Sequence, residues 1–467
     1  MKTVFVVGAG PAGMFAARQV ALAGFDAILF NRDVKPGGLA EYGIYPLKDK
    51  MKFGLRKQFA QVLALPNVHY FGNLQVGEDY DLTIQDLEAM HPAAIIFACG
   101  AQGTRRLGLP GEDAKGVYAA KDFVYNYNQL PPYSSQDFST GKRVGVIGMG
   151  NVAIDIARWL LQDNPGRVTE SVVIIARRGP LEIKFDKKEI GYVERHMSRE
   201  ELIAELDRVR ERCAHSNQDV SPEALFENHF HHMKDPDFTS IQPHLSFRFL
   251  SSPTAILPGP DGRIAKLEVA ENDLVPQPDG STKAVRTKET ATLDIDTLIF
   301  AIGDKHDEKI GLPMGPDGYA TQPDSEHPET PHFEVWDLEN ACPLPGRFVV
   351  GWARRASTGL VGIARHDGEV GAAKAIEFVK NLPDCETPDC ETMTEPEILA
   401  QLHSKGLQPV TKSDLALLTS VEAREAAQRQ LASFKYSDNQ AMFQAIAEAK
   451  KQAASQTSEE SSLQPVS

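Results

Sequence analysis

Residues 3–23 read TVFVVGAGPAGMFAARQVALA, and they predict a strand, a glycine turn and a helix in immediate succession. The continuous apolar run Thr3–Val7 is typical of a buried strand, and the apolar side chains of Met14–Ala23 recur at helical spacing. A second short apolar run, Asp26–Phe30, predicts the next strand. Together these elements form a β-α-β unit, which favours a parallel sheet with a right-handed crossover.

The glycines of this turn have the spacing of a dinucleotide-binding motif. Gly8 would allow the tight turn, Gly10 would let the backbone approach a pyrophosphate, and Gly13 would let the helix pack closely on the strand. The helix N-terminus would supply N–H donors and a favourable dipole for the phosphates. The acidic residue expected about 20 positions further on, for the ribose hydroxyls, is replaced by Asn31, with Asp33 two positions later.

A second unit of the same kind follows in the middle of the chain. The sequence predicts a strand over Arg143–Ile147, a turn at residues 148–153 (GMGNVA), a helix over Ile154–Leu161 and a strand over Ser171–Ala176. Ala153 stands at the third glycine position, where alanine is an accepted variant. The chain therefore contains the β-α-β device twice.

Two arginines follow the second unit where an NAD site would place a carboxylate. Arg177 and Arg178 favour a 2′-phosphate, because each planar guanidinium can donate charge-assisted hydrogen bonds to phosphate oxygens. The two turns thus predict two cofactors, a flavin dinucleotide (FAD) in the first and NADP in the second. An arginine pair on a solvated strand end, or a duplicated fold with one non-functional site, is the alternative interpretation.

Composition excludes several classes of protein. The chain has 467 residues, 42% of them hydrophobic, and 49 basic against 64 acidic residues give a net charge of −15. This acidity argues against a nucleic-acid or anionic-membrane partner. Five scattered cysteines do not form a secreted disulfide framework, so a cytoplasmic location is expected. No metal site is predicted, since the only histidine cluster, residues 229–232 (HFHH), lacks spaced partners.

Three stretches carry a resemblance to a known family. Residues 148–158 (GMGNVAIDIAR), 177–180 (RRGP) and 351–359 (GWARRASTG) closely resemble adrenodoxin reductase and the bacterial ferredoxin–NADP reductases of that type. The motifs occur in the family's order over nearly the whole chain, and residues 399–449 resemble the C-terminal extension of some bacterial members. Residues 37–44 (GGLAEYGI) are equally similar to the small subunit of glutamate synthase, a related flavoprotein.

The resemblance implies an α/β protein with two Rossmann-like dinucleotide-binding domains. A discontinuous FAD domain would comprise residues 1–110 and 330–385, and an inserted NADP domain would comprise residues 111–329. Residues 386–451 would form a helical C-terminal extension. The polar composition of residues 452–467 predicts a disordered tail.

The glycine motifs and the family resemblance together predict the site residues. The residues predicted to line FAD are Gly8, Gly10, Ala12, Gly13, Asn31, Gly38, Leu39, Ile44, Gly100, Trp352, Gly359, Leu360 and Val361. The residues predicted to contact NADP are Gly148, Gly150, Asn151, Val152, Arg177, Arg178 and Glu189. The predicted catalytic residues are Lys48, Trp352 and Gly359. Lys48 stands where the family has a histidine, Glu41 replaces an arginine, and Tyr192 replaces a carboxylate.

The resemblance implies an FAD enzyme that takes hydride from NADPH at flavin N5 and passes single electrons to a ferredoxin or flavodoxin, or runs in reverse. Two alternatives stay open. One is a two-electron NADPH reductase acting on a small molecule or a partner subunit. The other is a non-catalytic sensor that binds FAD or NADP(H).

An acidic electron carrier would need a basic docking surface. Residues 200–245 contain ten acids and only four bases, so that segment is unsuitable. The basic rim predicted instead consists of Lys184, Lys187, Lys188, Arg354, Arg355 and Arg365.

Overall fold

The chain folds into two compact units. The computed structural model describes residues 2–235, 237–316, 318–322, 332–356, 361–383 and 392–462. The first unit comprises Met1–Gly103, Tyr125–Ser135 and Asp304–Ser467, and the second comprises Thr104–Val124 and Gln136–Gly303. Among the described residues, no helix is long and apolar enough to cross a membrane.

The strands of the described residues are, in chain order, β1 (Thr3–Val7), β2 (Asp26–Phe30), β3 (Val68–Gly72), β4 (Ala94–Phe97), β5 (Gly103–Thr104), β6 (Val117–Ala119), β7 (Arg143–Ile147), β8 (Ser171–Ile175), β9 (His244–Arg248), β10 (Ser251–Pro258), β11 (Ile264–Pro276), β12 (Thr282–Asp294), β13 (Thr297–Phe300), β14 (Asp304–Lys305), β15 (Glu334–Asp337), β16 (Cys342–Val349) and β17 (Val410–Thr411).

The helices are α1 (Pro11–Leu22), α2 (Leu39–Tyr42), α3 (Asp49–Leu63), α4 (Ile84–Glu88), α5 (Ala120–Tyr127), α6 (Asn151–Arg158), α7 (Lys187–Ile190), α8 (Arg199–Ala214), α9 (Pro222–His229), α10 (Val361–Asn381), α11 (Glu395–Ser404), α12 (Lys412–Gln428) and α13 (Asn439–Ser462). A π-helical turn, Trp159–Asp163, continues α6.

The first unit is built on a seven-stranded sheet in the order β15-β16-β4-β1-β2-β3-β17. The five central strands are parallel, and the two edge strands pair in antiparallel fashion. β1 is central because both of its faces are apolar: Val4 and Val6 pack into one hydrophobic cluster, and Phe5 and Val7 pack into the cluster on the opposite face. A strand buried on both faces has a continuous apolar sequence, as residues 3–7 do.

The second unit contains a five-stranded parallel sheet in the order β6-β13-β7-β8-β9. Beside it lies a three-stranded antiparallel sheet, β10-β11-β12, whose two hairpins turn at Asp261-Gly262 and Asp279-Gly280. Apolar residues of both sheets, among them Ile147, Leu267 and Phe300, form a shared core. The predicted α/β class with repeated parallel units is confirmed.

Both units place a glycine turn at a change in strand order. In the first unit, β1 is followed along the chain by β2 on one side, while β4 lies on its other side. In the second unit, β7 has β8 and β13 in the same positions. Ligands of open α/β sheets bind at such switch points, outside the carboxyl ends of the strands.

The unit boundaries differ from those predicted. The sequence predicts that residues 125–135 and 304–316 belong to the NADP domain, whereas the contacts group them with the first unit, together with the C-terminal extension. Helix α13 continues to Ser462, into the tail predicted to be disordered. The helix starts in residues 439–451, which are rich in Ala, Gln and Lys, residues of high helix propensity, and continues from there into the tail.

Candidate functional site

The first glycine turn is shaped by backbone contacts. Gly8 has a φ of +103°, and a Cβ there would lie 2.6 Å from the carbonyl oxygen of Ala98. A Cβ on Gly13 would lie 1.9 Å from the carbonyl oxygen of Gly8. By contrast, a Cβ on Gly10 would meet nothing within 4 Å among the described atoms. The turn is therefore tight on the strand side and open in front of α1, where a pyrophosphate would approach the helix N-terminus.

Asn31 supports this turn from the inside. Its side chain is 6% exposed, and its Oδ1 accepts a hydrogen bond of 3.0 Å from the backbone N–H of Ala9. Its Nδ2 donates to the carbonyl oxygens of Asp33 and Lys35 and to the hydroxyl of Tyr70. These internal bonds engage both polar ends of the amide, so the ribose contact predicted for Asn31 is not supported.

A second loop crosses the front of the turn. The N–H of Gly37 donates to the carbonyl oxygen of Ala9 at 2.8 Å, and a Cβ on Gly38 would lie 3.2 Å from Cα of Gly10. Helix α2 begins at the next residue, Leu39. The structure thus brings together the predicted FAD residues of the turn and of this loop.

Ala12 connects the turn to the C-terminal part of the first unit. A Cβ on Gly351 would lie 2.6 Å from Cβ of Ala12, and a Cβ on Gly368 would lie 2.3 Å from the Ala12 carbonyl oxygen. Helix α10, which begins at the predicted residue Val361, therefore crosses α1 at backbone contact. Of the other predicted residues, Ile44 is half-buried against the core, and Gly100 follows β4 with a φ of +69°.

The turn that carries Trp352 is held by several hydrogen bonds. The carbonyl oxygen of Trp352 lies 2.6 Å from Nε2 of the buried His306. The N–H of Gly351 donates to the carboxylate of Asp367 at 2.5 Å, and Asp367 is also ion-paired with Arg354. Trp352 is therefore presented on a fixed backbone. The predicted residues Gly359 and Leu360 lie outside the described residues.

Glu41, which replaces an arginine of the family pattern, is a buried carboxylate next to the loop that crosses the first glycine turn. The sequence did not predict its burial or its partners. The side chain of Glu41 is 6% exposed and accepts two hydrogen bonds of 2.7 Å from Arg56. Lys435 of the C-terminal extension lies 3.2 Å from the same carboxylate, with its ammonium 4.7 Å from the ring centre of Tyr42. Burial opposes ionisation of Glu41, but the bonds from Arg56 and the charge of Lys435 outweigh it and lower its pKa to about 2.

Four residues after the predicted catalytic residue Lys48, helix α3 carries a buried lysine, Lys52. Lys48 is half-buried at the start of α3, and its N–H donates to the carbonyl oxygen of Tyr45. Lys52 is 5% exposed, and its Nζ donates to Oδ1 of Asn128 at 2.7 Å. Burial lowers the pKa of Lys52 to about 8. A sequence signal for this burial exists: Lys52 lies seven residues, or two helical turns, before the apolar Phe59 and so on the same face of α3.

The second glycine turn repeats the geometry of the first. Gly148 has a φ of +125°, and a Cβ there would lie 2.2 Å from the carbonyl oxygen of Ala301. A Cβ on Gly150 would meet nothing within 4 Å among the described atoms. Ala153 is fully buried at the third position. This turn is also open in front of its helix, α6.

Two predicted NADP residues have different surroundings at the start of α6. Val152 is 50% exposed and free to contact a ligand. The amide of Asn151 donates to the carboxylate of Asp186 at 2.7 Å and accepts from the Asp186 N–H at 2.8 Å. Asn151 therefore fixes the segment that leads into α7, on which the half-buried Glu189 lies. Tyr192 faces a cation, because the Arg158 guanidinium lies 4.2 Å from its ring centre.

Arg177 and Arg178 line a cleft of about 540 Å³ in the second unit. Their backbone is fixed by the antiparallel sheet: Nδ2 of Asn272 donates to the Arg177 carbonyl oxygen, and the N–H of Leu250 donates to that of Arg178. The Arg177 side chain is exposed and that of Arg178 half-buried. The other residues that line the cleft come from the β11–β12 hairpin: Gln277, Pro278, Asp279, Ser281, Thr282, Lys283 and Ala284.

The cleft has the donors that a phosphate group requires. Guanidinium groups donate charge-assisted bonds to phosphate oxygens, and Lys283 and the hydroxyl of Ser281 are further donors. The hydroxyl of Thr282 donates instead to the carboxylate of Glu182. The sequence did not predict these hairpin residues, because they follow the arginines by about 100 positions and no local pattern marks them. No group of three or more metal-ligating side chains is found in the described part of the chain.

Comparison with known proteins identifies the family. Residues 2–226 match the family described as pyridine nucleotide-disulphide oxidoreductase. The chain is 30% identical to the mitochondrial NADPH:adrenodoxin oxidoreductase of Salvelinus fontinalis, over 91% of this chain and 87% of that protein. It is also 30% identical to the NADPH-ferredoxin reductase FprA of Mycobacterium leprae, over 82% of this chain and 85% of that protein.

A solved structure gives the same result. The fold is similar to that of FprA from Mycobacterium tuberculosis, determined in complex with NADPH, with a TM-score of 0.77 and 25% identity. The match covers 96% of this chain and 99% of that one. The resemblance predicted from three sequence motifs is confirmed, and the chain belongs to the family of adrenodoxin reductase and FprA.

Proposed function

We propose that this protein is an FAD-dependent NADPH oxidoreductase that delivers electrons singly to a ferredoxin-type or flavodoxin-type carrier. Family membership supports the class of reaction. The observation that carries the proposal is the pair of glycine turns, one in each unit, each closed towards its sheet and open in front of its helix. Two such turns fit two dinucleotides, one for each unit.

The first turn fits FAD. Gly8, Gly10 and Gly13 would hold the pyrophosphate at the start of α1, with Gly38 and Leu39 covering it from the crossing loop. The chemistry that FAD supplies when bound is acceptance of a hydride and release of its two electrons one at a time, which links a two-electron to a one-electron carrier. Trp352 would lie beside the flavin ring on the turn fixed by His306 and Asp367.

The second turn and the arginine cleft fit NADPH. Gly148 and Gly150 would admit the pyrophosphate, while Arg177, Arg178 and Lys283 would hold the 2′-phosphate. Val152 would contact the nucleotide at the start of α6. Glu189 is proposed to contact NADPH. Asn151, by contrast, is proposed to act indirectly, by holding Asp186 in place.

A dithiol mechanism, which the description of the matched family suggests, is less well supported. The described cysteines Cys99, Cys213 and Cys342 are free thiols, and Cys213 belongs to a different unit from the other two. Burial raises the pKa of the Cys99 thiol to about 12, which disfavours its reactive thiolate. Cys385 and Cys390 lie outside the described residues.

Anaerobic mixing with NADPH tests the proposal. We expect the purified protein to be yellow and its flavin absorbance to bleach promptly with NADPH and much more slowly with NADH. Addition of a [2Fe–2S] ferredoxin and cytochrome c should then give NADPH-dependent cytochrome reduction. A protein that takes up flavin but shows no bleaching over minutes would be a sensor, and one that bleaches but reduces only two-electron acceptors would support the alternative enzyme class.

We also propose that the protein acts in the cytoplasm. The scattered free cysteines support a reducing compartment. Fractionation of the source cells, with detection of the intact chain by mass spectrometry, tests this location. Recovery in a membrane-bounded organelle, as for the mitochondrial relatives, would contradict it.

A further inference from the structure

One short segment of the first unit has a charge opposite to that of the chain. Residues 47–57 read LKDKMKFGLRK and contain five bases and one acid, a net charge of 5 − 1 = +4 in a protein of net charge −15. The segment comprises the start of α3 and the two residues before it. Lys52 is buried and Arg56 is paired with Glu41, so the positive charge that the segment presents to solvent comes mainly from Lys50 and Lys57.

The same segment exposes large apolar side chains. Leu47, Met51 and Phe53 are 57%, 55% and 69% exposed. Helical spacing places Phe53 between Lys50 and Lys57 on the outer face of α3, since residues three and four apart are neighbours. Clustered exposed apolar groups with a charged border mark interaction sites.

The lysines of this outer face form no ion pairs with carboxylates of the described residues. Both Lys50 and Lys57 are exposed. Arg56, on the adjacent face, is committed to Glu41. We call the exposed set Leu47, Lys50, Met51, Phe53 and Lys57 the α3 surface.

Helix α3, which carries the α3 surface, packs against the elements that form the first glycine turn. The Phe59 ring of α3 packs edge-on against Phe15 of α1, with ring centres 6.2 Å apart. The N–H of Lys48, at the start of α3, is bonded to the Tyr45 carbonyl oxygen, directly after the loop that crosses the turn. A molecule that docks on α3 thus contacts the same rigid elements that would hold the flavin.

The basic rim predicted from the sequence is less suitable. Arg354 is 9% exposed and is ion-paired with Asp367. Arg365 is paired with Glu369, and its guanidinium lies 4.3 Å from the Phe15 ring centre. Lys187 donates to the carbonyl oxygen of Glu227 at 2.6 Å. Three of the six rim residues are therefore already engaged.

We propose that the α3 surface is the docking site for the one-electron carrier, and that this carrier is a small acidic protein with carboxylates around an apolar contact for Phe53. The inference rests on the proposed function and adds the place and chemistry of the partner. Charge complementarity supports it, because Lys50 and Lys57 would steer an acidic partner towards Phe53. A small, salt-sensitive interface of this kind suits a transient redox encounter.

The test compares matched surface variants of the full-length flavoprotein. Lys50→Glu/Lys57→Glu and Phe53→Ser alter the α3 surface, while Lys374→Glu/Lys380→Glu on α10 and Leu22→Ser on α1 are controls with exposed side chains. The probe is an adrenodoxin-type [2Fe–2S] ferredoxin, titrated optically at low and high salt. We expect the Kd of the α3 variants to rise at least about tenfold, the salt dependence of the charge-reversed one to vanish, and the controls to behave as wild type.

Flavin bleaching by NADPH separates this inference from the proposed function. All variants should bleach at the wild-type rate, because none alters a proposed cofactor contact. Unchanged ferredoxin Kd in the α3 variants would overturn the docking site, and so would wild-type protein that bleaches but binds no ferredoxin. Two other results would also overturn it. In one, the wild-type protein sediments with phosphatidylserine vesicles; in the other, it self-associates. In both, Lys50→Glu/Lys57→Glu abolishes that binding while ferredoxin binding persists. Failure of bleaching in wild type would instead refute the proposed function.

Discussion

The two glycine turns share a backbone design but differ in what surrounds them. In both, the first glycine packs against the carbonyl oxygen of the residue that directly follows a strand, and the second faces open space. Behind the first turn lies Asn31, buried and bonded to the protein, whereas the second turn is followed by Arg177, exposed at a cleft. The first turn is therefore braced by a buried side chain, and the second leads to an exposed cationic cleft.

This difference fits two modes of nucleotide use. A turn braced from inside the protein suits a cofactor that stays bound through many turnovers, and an exposed cationic cleft suits a nucleotide that must leave after each one. The same β-α-β device can serve both purposes, because residency depends on the side chains around the turn rather than on the turn itself.

The largest effect is expected where the two turns differ in sequence, at the third glycine position. Gly13→Ala would place a Cβ 1.9 Å from the Gly8 carbonyl oxygen, so we expect a loss of about 3 kcal/mol or more in the free energy of unfolding, with loss of flavin. The reciprocal change Ala153→Gly should cost only about 1 kcal/mol, the helix propensity difference. Urea denaturation measures the free energy of unfolding of both variants, and absorbance measures their flavin content. Equal losses of unfolding free energy would show that the third positions of the two turns are equivalent.

The next effect concerns Glu41, which has no counterpart at the second turn. Its pKa of about 2 lies below the ordinary 4.5, so its ionised form stabilises the fold above pH 4.5, and this contribution is lost as the pH falls towards 2. Glu41→Gln should therefore lower the free energy of unfolding by about 3 kcal/mol at pH 7. The difference from wild type should shrink as the pH drops below 4.5.

Denaturation midpoints between pH 7 and pH 3.5 measure this dependence. Glu377→Gln is the matched control, because it removes an exposed carboxylate paired with Lys374 and should change stability by less than about 0.5 kcal/mol. A Glu41 variant with a pH-independent deficit would mean that the carboxylate is not ionised in the folded protein.

A smaller effect is expected on nucleotide selection. Arg177→Ala and Arg178→Ala should each reduce the preference for NADPH over NADH by roughly tenfold or more, since each charged hydrogen bond contributes about 1.5–3 kcal/mol. Flavin content and thermal stability should stay as in wild type. The kcat/KM ratio for the two nucleotides measures the preference, and an unchanged ratio would remove the arginines from the 2′-phosphate site.

The smallest effect on stability is expected at the open glycine of each turn. Gly10→Ala and Gly150→Ala add a methyl group where nothing lies within 4 Å among the described atoms, so the free energy of unfolding of the ligand-free protein should change by less than about 1 kcal/mol. Ligand binding should separate the pair: Gly10→Ala should lose flavin, and Gly150→Ala should weaken NADPH only. The same ligand lost in both variants would contradict one dinucleotide per unit.

Local features of the fold were predictable from the sequence. The strands Thr3–Val7, Asp26–Phe30 and Arg143–Ile147 have the predicted bounds, because buried strands and glycine turns are encoded by adjacent residues. The contacts that could not be predicted join distant parts of the chain. Lys435 reaches Glu41 across 394 positions, and the β11–β12 hairpin lines the arginine cleft about 100 positions after Arg178.

Asn31 illustrates a different limit. The motif placed this residue correctly at the end of β2, but the direction of its amide depends on Ala9, Lys35 and Tyr70, which only the folded structure brings together. The position of a residue followed from local pattern, whereas its hydrogen-bond partners depended on tertiary packing.

The interrupted first unit has a consequence for synthesis on the ribosome. Its strands β1 to β4 emerge first, but β16, which pairs with β4, ends only at Val349. The second unit lies between them and can fold while the edge of β4 is still unpaired, an exposed edge being a site of aggregation. At roughly 5–20 residues per second, this edge stays open for on the order of tens of seconds. The length of the inserted unit, rather than the stability of either unit, sets how long the nascent chain needs protection.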